Sequence, residues 1–288
     1  MRRTVSALLL LLCTSPLLAA QSPRLVVLAP HLVEQLYSIG AGGMIVGTVE
    51  HADYPAEAVT IPRVGNYAGL QLESILALKP DLVVFWQSGS PAAEISQLQR
   101  LGIRTAGFEP KTLDDIATDL ERLGDLIGQP TRARQQATTV RLRLTALRQL
   151  YQQKKTVRVF YELWDEPLST IGPGAWPLQA LQLCGAENIF ADASGAYPLV
   201  SAEALLQRQP DLIVQPVSTT EPRRLTDYSR FSSLKAVQLQ QRAQPNADLL
   251  HRATIRTLDG VAELCQLIDR SRQFYAAKSG ASSQPLPQ

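Results

Sequence analysis

Apolar positions along the chain fall into two rhythms: short unbroken runs, and longer stretches with an apolar residue every three or four places. RLVVLAP (24–30), MIVGTV (44–49), LVVFW (82–86) and RTAGF (104–108) are β-rich runs. Between them Leu32, Leu36 and Ile39 keep helical spacing up to Gly40, and 92–103 and 113–128 read as amphipathic helices. Strand and helix taken in turn predict a parallel sheet covered by helices on both faces. From Pro130 to Lys155 the rhythm changes. Ala133, Ala137, Val140, Leu144, Leu147 and Tyr151 form one stripe, which predicts a single helix of about 25 residues, some 37 Å long. Its other face carries Arg132, Arg134, Arg141, Arg143 and Arg148 and reads as solvated.

A second alternating region follows. VRVFYEL (157–163) and 212–217 read as strands, and 177–190 as helix and turn. A short helix falls within 229–238, a strand of unfixed position within 241–250, and a strong amphipathic helix over 254–275. The expected fold is α/β: two Rossmann-like three-layer lobes, 21–128 and 157–277, joined by one long rigid helix over 129–156, with a disordered tail at 278–288.

An internal repeat supports two lobes. LESILALKPDLVV (72–84) and AEALLQRQPDLIV (202–214) share a pattern led by Glu73 and Glu203, with Tyr67 and Tyr197 six residues before each. The offset of 130 positions is too long for a solenoid. Each lobe thus presents a tyrosine and a carboxylate at equivalent places. A carboxylate in a first helical turn is favourable on dipole grounds alone. Its duplication adds a second reading, a pair that docks a two-fold symmetric partner bearing basic residues.

Composition narrows the class. Hydrophobic residues make up 45% and charged ones 19%, which fits a globular core. Arg2 and Arg3, the apolar run Ala7–Leu12 and the small pair Ala19-Ala20 form an export signal expected to be cut near residue 20. Cys13 follows Leu11-Leu12, a poor setting for a lipid anchor. Without residues 1–20, 26 basic and 26 acidic residues balance, so no nucleic-acid partner is expected. The remaining cysteines, Cys184 and Cys265, are either a disulfide or two separate buried thiols. No G-x-S-x-G, P-loop, H-E-x-x-H or G-x-G-x-x-G occurs, and His31, His51 and His251 are dispersed. Neither catalytic residues, a cofactor nor a metal cage is expected.

Tyr54, Tyr67, Trp86, Trp164, Trp176 and Tyr197 fall in loops or at C-terminal strand ends, where open α/β sheets bind ligands. An aromatic-walled cleft suits a large, flat, partly apolar molecule. Asp248 and Arg252 follow the last strand-like region, as polar anchors or as a local i,i+4 pair.

With ADYP (52–55), VGNYAGLQLESILALKPDLVVFW (64–86), CGAENIF (184–190), YPLVSAEALL (197–206) and DLLHRATIRTLDGVAELC (248–265), the chain resembles the helical-backbone, class III substrate-binding proteins of ABC importers, in particular the branch that binds cobalamin. The resemblance implies a periplasmic monomer that carries a corrinoid to the permease dimer of an inner-membrane importer, with no metal site of its own. It implies ligand contacts from Pro30, Tyr54, Trp86, Asp248 and Arg252, and more loosely from Trp164. Tyr67 and Tyr197 stand where that branch has tryptophan. Cys184 and Cys265 match a disulfide, and Glu73 and Glu203 match glutamates that meet permease arginines. A ferric siderophore or haem carrier on the same scaffold is the alternative, with His31 and Tyr54 as candidates toward haem iron; a periplasmic sensor without a transport role is more remote.

Overall fold

The computed structural model describes residues 22–219 and 225–281. The export signal expected over residues 1–20 lies outside them. Each lobe contains a parallel four-stranded sheet. In the first the order is Ile45–Thr48, Leu25–Leu28, Leu82–Trp86, Thr105–Phe108; in the second it is Ala186–Asn188, Val157–Tyr161, Leu212–Val214, Arg242–Ala243. Counted along the chain, both sheets run 2-1-3-4, so one topology occurs twice. The α/β, two-lobed class expected from the alternation is the one observed.

Strand side chains alternate between faces, and the alternation assigns them to different cores. Leu25, Val27, Leu82 and Val84 join Val157, Val159, Leu212 and Val214 in one cluster that runs through both lobes. Ala133, Ala137, Val140 and Leu144 of the helix Pro130–Tyr151 lie in that same cluster and are fully buried. Val26, Leu28, Val83 and Phe85 face a second cluster confined to the first lobe, and Phe160 and Ile213 face a third confined to the second. The connecting helix is therefore built into the shared core.

The repeat has a local physical basis. The Asp81 carboxylate accepts a hydrogen bond from Arg24 N, and Arg24 donates both Nε and Nη2 to Leu78 O. In the second copy Asp211 accepts from Arg158 N, while Arg158 donates to Arg208 O and Gln209 O. Lys79 (φ 47°) and Gln209 (φ 44°) take the left-handed conformation that ends each repeat helix, unusual away from glycine. The Pro-Asp of each copy thus ties a helix end to the first strand of its lobe.

Several details differ from the sequence reading. The segment read as a turn around 186–188 is the strand Ala186–Asn188, and the unfixed last strand is Arg242–Ala243. The connecting helix has 22 residues and ends at Tyr151. The last helix, Thr257–Ala281, continues past 277, the expected end of the lobe. The arginine face is not simply solvated. Arg134, Arg141 and Arg148 pair with Asp125, Glu121 and Asp114 on or beside the helix Asp115–Ile127, and Arg143 pairs with Asp259 of the last helix. These pairs are exposed, so each is worth at most about 1 kcal/mol. Cys184, at the C-terminus of the helix Trp176–Leu183, is disulfide-bonded to Cys265 of the last helix.

Candidate functional site

Three adjoining cavities open at the C-terminal ends of the central strands. The first, about 470 Å³, takes His51 from the first lobe and Trp164, Asp248, His251 and Arg252 from the second. The second, about 460 Å³, shares Trp164 and His251 with it and extends over Trp176 and Tyr197. The third, about 140 Å³, shares His51 and is lined by Pro30, Tyr67 and Trp86 of the first lobe. Together they form one cleft with aromatic walls contributed by both lobes.

The sequence-predicted residues gather there with one exception. Pro30 opens the helix that follows the first strand, and Trp86 ends the strand Leu82–Trp86. An added Cβ at Gly89 would lie 2.0 Å from the Trp86 ring, so this glycine makes room for the indole. Tyr67, Trp164 and Tyr197 are 81%, 58% and 55% exposed, too open for core residues. Tyr54 lines none of the three cavities; the Arg256 guanidinium covers its ring at 3.5 Å. The dispersed histidines converge on the cleft: His51 and His251 line it, and His31 meets Trp86 edge-on at 5.7 Å between centroids.

The floor of the cleft is an inter-lobe clasp that sequence reasoning missed. Arg252 donates to Glu34 Oε1 at 3.0 Å and to Asp53 at 2.6 and 3.3 Å, and Arg256 donates to Glu34 Oε2 at 3.3 Å. Gln35 Nε2 reaches Ala253 O at 2.7 Å. Arg252 is thus drawn toward the opposite lobe, while Asp248 accepts hydrogen bonds from Ser218 and Thr219. Burial alone would lower the Arg252 pKa, but the bonds and charges of Asp53 and Glu34 raise it above its ordinary value. Burial pushes the Asp53 carboxyl up, and the hydrogen bond and charge of Arg252 bring it below its ordinary range. Little in the sequence pointed to it: Glu34 and Gln35 fall between the apolar positions Leu32, Leu36 and Ile39, where polar residues are ordinary. Glu162, just past the strand Val157–Tyr161, is a second buried carboxylate; it accepts from Gln215, Thr226 and Tyr228. Burial, reinforced by the Glu162 charge, raises the Tyr228 pKa.

His31 links this floor to acid stability. Burial, then the Arg252 charge, lowers its pKa to about 4. The folded state therefore disfavours the proton that the unfolded chain accepts near the ordinary value of 6.5. Stability is retained above pH 6.5 and lost as pH falls toward 4, by roughly 3 kcal/mol at most. His31→Gln is expected to remove most of that acid-dependent loss, read as the difference in urea-unfolding free energy between pH 7.5 and pH 4.5. Asp119 has the opposite sign. Burial and the Asp115 charge raise its pKa from 3.8 to about 7, so the stability present below pH 3.8 is lost as pH rises from there to about 7, and Asp119→Asn gains stability relative to the unaltered protein at pH 8.

Glu73 and Glu203 occupy the second position of their helices, Leu72–Ala77 and Ala202–Arg208, and both are exposed. Neither joins an ion pair among the described residues. A backbone hydrogen bond and the Ser201 hydroxyl lower the Glu203 pKa, so the carboxylate favours its charged form.

Residues 25–245 match the family of periplasmic binding proteins. A vitamin B12-binding protein of Vibrio cholerae is 38% identical over 261 residues, covering 88% of this chain and 93% of its own. The crystal structure of the periplasmic vitamin B12 binding protein BtuF of Vibrio cholerae superposes with a TM-score of 0.80 at 37% identity, covering 87% of this chain and 98% of that one. The periplasmic heme-binding protein RhuT of Roseiflexus sp. RS-1 has a TM-score of 0.74 at 21% identity over 87% of this chain and 99% of its own, which shows a shared fold.

Proposed function

The chain belongs to the periplasmic binding protein family, and from that premise we propose that it captures cobalamin or a related corrinoid in the inter-lobe cleft and delivers it to the permease of an ABC importer. The observation that carries this reading is the continuous cleft with exposed aromatics on both lobes. A corrin is broad, planar and apolar across its faces, and stacking with apolar contact is how such walls bind. The cobalt stays in the macrocycle, so the protein contributes walls and hydrogen bonds. The protein acts as a monomer in the periplasm and binds without turnover; conversion of a bound corrinoid would overturn that point.

The continuous connecting helix and the inter-lobe clasp favour a small closing motion over a wide hinge. Haem held through Tyr54 or His31 as iron ligand is less favoured. Tyr54 lies under Arg256, and His31 is buried beside Trp86. A competition panel tests the ligand class: cyanocobalamin saturates the protein, and neither haemin nor a ferric catecholate siderophore displaces it at equal concentration. Displacement by either competitor would move the assignment to that class.

Glu73 and Glu203 form the docking pair in this reading, one exposed carboxylate per lobe for cationic partners on a two-fold permease. Replacing both by alanine is expected to leave ligand affinity within twofold and to cut uptake in cells by at least about tenfold, since charge pairs at an interface set both encounter rate and register. Unchanged uptake would remove the docking role.

A further inference from the structure

The clasp at the cleft floor bears on which ligands the site accepts. Arg252 is the one Lys or Arg lining the three cavities among the described residues, and it is only 19% exposed. Its guanidinium already faces two carboxylates from the opposite lobe, Glu34 and Asp53. Glu34 is 3% exposed and bridges Arg252 and Arg256. Glu50, Glu162 and Asp248 add further carboxylates to the lining. An incoming anion would have to share a cation that is already matched and would approach several like charges, of which Glu34 and Glu162 are buried and so little screened by solvent.

We propose that Glu34 and Asp53 are specificity-determining residues that close this floor to anionic ligands. By occupying Arg252 they make the cleft select macrocycles edged with uncharged amides over analogues in which an amide is a carboxylate. The selection is repulsive: the carboxylates that match the guanidinium also repel its other partners. The proposal rests on the corrinoid reading of the cleft.

The test compares cyanocobalamin with its monocarboxylate, made by hydrolysing one peripheral amide, by fluorescence titration at pH 7.5. The unaltered protein is expected to bind the amide form at least about tenfold more tightly, in line with the cost of placing like charges together. Glu34→Gln and Asp53→Asn, made separately, are each expected to reduce that ratio severalfold. Two positions are used because Glu34 is buried and its variant could lose stability, whereas Asp53 is partly open. Equal binding of both forms by the unaltered protein, or an undiminished ratio in a folded variant at either position, overturns the proposal. No saturable binding of either form would instead contradict the corrinoid reading itself.

Discussion

Replacing Trp86 and Trp164 together by alanine is expected to weaken corrinoid binding about a thousandfold, at roughly 2 kcal/mol for each indole. The estimate follows from where the rings stand. Trp86 closes the first-lobe wall and is 40% exposed; Trp164 borders the two larger cavities and is 58% exposed. Because the rings already face solvent, truncation opens no buried core and the fold should survive, as circular dichroism would show. The two lie on opposite lobes and line different cavities of the cleft, so their losses should nearly add. Phenylalanine at either position should recover part of the loss through its remaining face. Single alanine variants that bind within twofold of the unaltered protein would mean that these walls do not hold the ligand.

Loss of the Cys184–Cys265 bond is the second large effect. The cysteines are 81 positions apart and both fully buried, joining the end of the helix Trp176–Leu183 to the last helix within the second lobe. Closing a loop of that size restricts the unfolded chain by roughly 4 kcal/mol in the chain-entropy account. For a chain of this length that corresponds to a fall in melting temperature of roughly 7 °C. Arg272, which donates to Cys184 O and Gly185 O, would retain part of the local docking. Thermal unfolding with and without reductant checks this. The Cys184→Ala, Cys265→Ala variant should melt at the low temperature in both conditions; a reductant effect that persists in that variant would show that the loss has another source.

The parts of this molecule that were legible in its sequence are those set by local periodicity. The unbroken apolar run LVVFW and the four-three spacing from Ala133 to Tyr151 place strand and helix where they occur, because burial on both faces of a strand and on one face of a helix imposes those patterns directly. The repeat foretold the second lobe, and the recurrence of the Asp81 and Asp211 contacts gives its physical basis. Ala186–Asn188 was missed because it is short and follows the left-handed Gly185, which by itself reads as a turn.

Within the site, exposed aromatics at strand ends could be proposed from sequence because strand ends face the cleft. Their partners could not. Arg252 meets Glu34 from 218 positions away, and Tyr54 is covered by an arginine that sequence alone leaves on a helix start. The connecting-helix arginines show the same limit: solvation and ion pairing share one sequence pattern, and only the packing of the neighbouring helices separates them.

Calorimetric titration of the purified protein with cyanocobalamin, followed in parallel by tryptophan fluorescence, tests the central claim most directly. Capture in the inter-lobe cleft predicts a single saturable site per chain with matched heat and quenching, both moved to about a thousandfold higher ligand concentration in the Trp86→Ala, Trp164→Ala variant. Absence of a saturable signal, or binding that the double variant leaves intact, would contradict it.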